Sequence, residues 1–110
     1  MAPFEIRETP DATIIHVAQD LDIATSPDLE KAIAIAEARA KKIVVSLEHC
    51  TYCDSSALGV LIRTKKHLGD RLVTVVPIEN RARRIFEITG LVAALEICDA
   101  WPESLASMAS

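Results

Sequence analysis

Ile43-Val44-Val45-Ser46-Leu47-Glu48-His49-Cys50-Thr51-Tyr52-Cys53-Asp54-Ser55-Ser56-Ala57-Leu58-Gly59-Val60-Leu61 holds the two transitions that decide the fold. Ile43 to Leu47 is a nearly continuous apolar run, the pattern of an interior strand covered on at least one face. The segment Glu48 to Asp54 leaves that strand. From Ser55 the period changes: Leu58, Leu61, Ile62 and Leu68 fall on one side of a helix, with Arg63, Lys66 and His67 on the other. Gly69 is the expected C-terminal stop. Gly59, inside the helix, costs up to ~1 kcal/mol, so a close packing contact is expected there.

Upstream, Phe4 to Glu8 alternates apolar and charged residues, and Thr13 to Val17 is β-branched; Thr9-Pro10-Asp11-Ala12 supplies the turn of a hairpin between them. Asp20-Leu21-Asp22-Ile23-Ala24 leads into a helix. Ser26 is its predicted cap and Pro27 its first residue, and Asp28 and Glu30 sit where the dipole favours negative charge. Leu29, Ala32, Ile33, Ala36 and Ala40 form its core stripe, and Arg39, Lys41 and Lys42 close it. Downstream, a strand over Arg71–Val76 is stopped by Pro77. A helix over Glu79–Thr89 sets Ile85, Phe86 and Ile88 against Arg81, Arg83 and Arg84, and Gly90 ends it. A short strand over Ala94–Cys98 and a weak helix from Trp101 complete the pattern. The prediction is one α/β domain over residues 1–110, order β-β-α-β-α-β-α-β-α, with helices packed on a sheet that the opening hairpin makes mixed.

Composition excludes several classes. Half of the 110 residues are hydrophobic, too many for a disordered chain, and only 4% are aromatic, too few for a platform that stacks single-stranded nucleic acid. The net charge of −4 argues against general nucleic-acid binding, which relies on basic surface. Residues 1–60 carry ten acidic and five basic side chains, whereas residues 61–90 carry seven basic and three acidic. The basic block reads as the solvated side of two helices. No apolar run approaches the ~18 residues that cross a bilayer, and no leader pattern opens the chain. With an odd three cysteines, a disulfide framework is not expected, and a cytoplasmic setting fits.

Three constellations invite chemistry. Cys50-Thr51-Tyr52-Cys53 is a C-x-x-C, used for dithiol redox work when its first cysteine sits at a helix start. Here Asp54, Ser55 and Ser56 intervene, and Asp54 disfavours a thiolate. Two cysteines are half a zinc site, which His49 and Cys98 would have to complete across the fold. Asp22 and Asp54, each following a strand, would meet at one sheet end, where capping is the commoner use. No glycine-rich phosphate loop or nucleophile elbow occurs, so no catalytic residue, metal or cofactor is expected. Ser55, placed at the capping position, is apt as a switch: a phosphate there gains from the dipole and adds roughly −1.5 to −2 charge.

Asp54-Ser55-Ser56-Ala57-Leu58-Gly59-Val60-Leu61 resembles the signature of STAS domains, in particular of bacterial anti-sigma factor antagonists. Asp20-Leu21-Asp22 resembles that family's acidic loop, Ile43 to Leu47 its central strand, and Arg84-Ile85-Phe86-Glu87-Ile88-Thr89-Gly90-Leu91 its closing helix and turn. The resemblance implies a non-enzymatic regulator that binds an anti-sigma factor with serine/threonine kinase activity and so releases a sigma factor. Phosphorylation of Ser55 would end the binding, and a phosphoserine phosphatase is a further partner it allows. The implied partner surface is Asp20, Asp22, Asp54, Ser55, Ser56 and Ala57. Ala57 and Gln19 stand where the family often has glycine. Two other readings stay open: a STAS regulatory subunit of a transporter or sensory complex with Ser55 unmodified, and a small thiol oxidoreductase on Cys50 and Cys53.

Overall fold

The computed structural model describes residues 4–100 apart from 11, 40 and 41; the helix expected from Trp101 lies outside them. Four strands form one sheet in the order β1-β2-β3-β4: Phe4–Glu8, Ala12–Val17, Lys42–Ser46 and Leu72–Val75. β1 runs antiparallel to β2, as the hairpin requires, and β2, β3 and β4 are parallel. The sheet is therefore mixed.

Helices α1 (Ser26–Glu37) and α2 (Ser55–Leu68) are the crossovers between the parallel strands. Alternation along the strands divides their side chains between two faces. Ile15, Val17, Ile43 and Val45 join the main core with Leu29, Ile33, Leu58, Leu61 and Phe86. Ala12, Ile14, Val44 and Val75 form a smaller cluster apart from it. Ile43, Val44 and Val45 are all completely buried, which explains why β3 reads as an unbroken apolar run.

The last third of the chain departs from expectation. Gly69–Arg71 forms a 3₁₀ turn, and the third helix shrinks to α3 (Arg83–Ile88), followed by α4 (Leu91–Ala94). The strand expected over 94–98 is reduced to a single parallel bridge between Val75 and Cys98. Glu96, with φ 52°, breaks the extended path just before that bridge. The short α3 also turns differently. Arg83, expected in solvent, is buried and bonds the Val76 carbonyl and the Asp99 carboxylate, both at 2.6 Å, while Ile88 is exposed. Arg39 pairs with Glu8 of β1 at 2.9 Å beyond the last turn of α1, and Lys42 belongs to β3.

Among the described residues, no core side chain or backbone packs against Gly59 closely enough to require it. A Cβ there would meet only Arg63 Nη1, at 3.2 Å, and Arg63 is an exposed side chain able to yield. Gly59→Ala is therefore expected to stabilise the fold by roughly 0.5–1 kcal/mol, a few degrees in Tm by calorimetry. A lower Tm would show that Arg63, paired with Glu30, cannot move.

Candidate functional site: the loops at the carboxyl edge of the sheet

Because β2, β3 and β4 are parallel, the segments that follow them leave from one edge of the sheet, the usual place for a site in an α/β domain. The loops after β2 and β3 are stitched by backbone. Leu21 N–H donates to Tyr52 O at 2.9 Å, and Asp54 N–H donates to Leu21 O at 3.0 Å. The Leu21 side chain between these bonds is fully buried. Thr51 Oγ1 adds a hydrogen bond to the Asp20 carboxylate at 3.0 Å. The loop after β4 is fastened to the exit of β3 by Asn80, whose amide donates to the carbonyls of Leu47 and Glu48, both at 2.9 Å.

The helix starts differ from the expected caps by one residue. Asp54, not Ser55, is the N-cap of α2: its Oδ1 accepts from Ser56 N–H at 2.9 Å and Ala57 N–H at 3.3 Å. Ser56 Oγ also donates to Asp54 and lies 3.0 Å from Ser26 Oγ across the two helix starts. Ser26 likewise is not a cap but the first residue of α1, and its hydroxyl donates to Asp22 O at 2.7 Å. Asp22 closes that turn by accepting from Ala24 N–H and Thr25 N–H at 2.9 and 3.0 Å. In runs such as Asp54-Ser55-Ser56 every residue is a competent cap, and the ionised carboxylate, the stronger acceptor, takes the role.

Ser55 is thereby left at the first helical position, exposed, its Oγ making no hydrogen bond to any described residue. Asp20 is exposed, and Asp22, Asp54 and Ser56 are half-buried. Ala57 is completely buried, so its methyl faces the core and only its N–H, on Asp54, belongs to the site. Gln19 is exposed and free of positive φ, so this backbone does not need a glycine there. Sequence reasoning did not place Ile23, Tyr52, Thr51, Asn80 or Arg81 here. Ile23 and Tyr52 are large apolar side chains in solvent, 79% and 55% exposed, a signal that only burial reveals.

The Ser56 hydroxyl, with the N–H groups of Ala57, Ser56 and Ile23, holds the Asp54 carboxyl below the ordinary 3.8. The folded chain thus binds this proton more weakly than the unfolded one. The stability contributed is in place above about pH 4 and is lost as pH falls through the folded value. Asp54→Asn keeps a capping acceptor but no charge, and is expected to flatten the fall in urea midpoint between about pH 4 and pH 2. An unchanged slope would show that other carboxylates set the acid limb.

The cysteines are poorly suited to redox work. Both Cys50 and Cys53 are free and buried. Burial pushes the Cys53 thiol up to about 12, with Cys50 and the Asp54 charge adding to it, and burial also raises Cys50. A thiol held protonated is not the nucleophile that dithiol exchange requires. Asp22 and Asp54 each serve their own turn, and among the described residues no cluster of three side chains could hold a metal ion.

Residues 3–103 match the STAS domain. The chain belongs to the STAS domain family. Over 80 residues this STAS domain is 35% identical to the anti-sigma-B factor antagonist of Staphylococcus aureus, an alignment that covers 70% of this chain and 74% of that protein. Its fold is similar to an anti-sigma factor antagonist from Mycobacterium paratuberculosis, with TM-score 0.79, 22% identity and coverage of 97% and 93%. It is also similar to the Bacillus cell fate determinant SpoIIAA in its phosphorylated form, with TM-score 0.68, 20% identity and coverage of 97% and 99%. Among STAS domains this one therefore stands with the anti-sigma factor antagonists.

Proposed function

We propose that this chain works by protein contact: it binds an anti-sigma factor that is also a serine/threonine kinase, and phosphorylation of Ser55 ends the binding. The observation that carries this reading is the Ser55 hydroxyl, exposed and unengaged beside two hydroxyl or carboxyl neighbours that are engaged. A kinase needs a hydroxyl that can enter its active site, and Ser56, tied to Asp54 and Ser26, is not so presented. Homology to an anti-sigma-B factor antagonist, and a fold neighbour described in phosphorylated form, support the same assignment.

The partner surface in this reading is Asp20, Asp22, Asp54, Ser55 and Ser56, with Ile23 and Tyr52 as apolar contacts inside an acidic rim. Buried Ala57 acts only through the first turn of α2. The setting is the cytoplasm, and a phosphoserine phosphatase would restore the binding form. The domain spans the chain as one regulatory module. Mass spectrometry after incubation with ATP and the anti-sigma factor kinase tests the assignment: phosphate on Ser55 is expected, and phosphate on Ser56, or on no serine, overturns it.

A further inference from the structure

A surface hollow of about 270 Å³ opens beside Ser55, and Thr51, Tyr52, Asp54, Arg81 and Ile85 line it with the serine. Among the described residues, Arg81 is the one cation in that lining. It is exposed, and no ion pair or hydrogen bond engages its guanidinium among the described residues. The other charged group, Asp54, already accepts from the first turn of α2. Arg81 is held where it is by its neighbour: Asn80 donates to the Leu47 and Glu48 carbonyls, and its Oδ1 accepts from Ala82 N–H at 2.7 Å. One free hydroxyl and one free guanidinium thus face a common space on two loops that are bonded to each other.

We propose that Arg81 is the intramolecular counter-ion of a phosphate on Ser55, so that modification closes this hollow with a guanidinium–phosphate pair. The inference rests on Ser55 being the modified serine. A phosphate brings roughly −1.5 to −2 charge and three acceptor oxygens, and the planar fork of an arginine matches two of them. Once paired, the phosphate fills the space a partner side chain would enter, and the cation is withdrawn from the surface at the same moment. Phosphorylation then removes two recognition elements together.

The test uses the full chain with phosphoserine placed at position 55 during synthesis, and follows the phosphate by ³¹P NMR titration. A contacting guanidinium favours the dianion, so the second ionisation lies below its usual ~6. Arg81→Ala is expected to raise it by about half a unit or more, with Arg81→Lys in between. Arg84→Ala is the control, since it removes the same charge from an exposed position three residues on. Identical titrations for wild type and Arg81→Ala overturn the pair. So does an Arg84→Ala shift equal to that of Arg81→Ala, which would mean a general field rather than a contact. This readout needs no kinase, so failure to find Ser55 phosphorylated by the partner would strike the functional assignment and leave the titration result standing.

Discussion

Ser55→Asp is expected to weaken binding to the anti-sigma factor by as much as ~10³-fold while making the fold no less stable, and Ser55→Ala to bind constitutively. The two properties separate because Ser55 is exposed and serves no cap, so the Asp54 cap survives either change. An exposed substitution of this kind moves stability within about 0.5 kcal/mol, and an aspartate in the first turn gains from the helix dipole. At the interface the same charge is unfavourable. One like-charge contact at ~4 Å costs up to about 4 kcal/mol at an effective dielectric near 20, and each 1.4 kcal/mol is about tenfold in affinity. Calorimetric titration with the partner, beside thermal melts of each variant, reads both quantities. Full affinity in Ser55→Asp would remove position 55 from the interface, and a collapsed melt would mean that the loss came from folding.

Leu21→Ala carries the largest expected cost to the fold, roughly 2–5 kcal/mol, and a fall in Tm of about 10 °C or more. Leu21 is fully buried at the point where the two loops join, and its own N–H and C=O make both joining bonds. Emptying that position leaves a cavity beneath Asp20, Asp22 and Asp54 together. Amide exchange should therefore quicken at position 21 and at Asp54, the two donors of the stitch, before it does in β3. Protection lost evenly over the chain would show that Leu21 supports the core without supporting the site.

A different substitution refines how the acidic loop must be probed. Asp22 holds the start of α1 through Ala24 and Thr25, so reversing its charge disturbs the helix as well as the surface. Asp20 is exposed, and among the described residues its carboxylate accepts from Thr51 alone, which makes it the cleaner position for measuring association rate against salt.

The strands and the two long helices were legible because their patterns are period-pure: alternation in β1, an apolar block in β3, a heptad-like stripe in α2. The caps were not, since Asp22, Thr25 and Ser26, or Asp54, Ser55 and Ser56, are interchangeable candidates until the backbone chooses. The turn of α3 was misread for a related reason. Three arginines in four residues look solvated, yet a guanidinium can reach inward to a bare carbonyl, as Arg83 does at Val76. Arg81 and Asn80 stayed invisible as site residues because they come from the loop after the fourth strand, about 25 residues beyond Ser55. Only the parallel order of the sheet brings them back beside it.

The backbone stitch between Leu21 and residues 52–54 would also set the tempo of the switch proposed at Ser55. Two loops about thirty residues apart in the chain behave as a single stiff plate, so a partner that lands on it has little slack to take up on docking. No backbone segment would have to fold, swing or unlatch for a phosphate on Ser55; only the Arg81 side chain would turn. In the proposed switch, the delay between signal and release would be the turnover time of the kinase plus the lifetime of the complex, with no backbone relaxation of this domain in between.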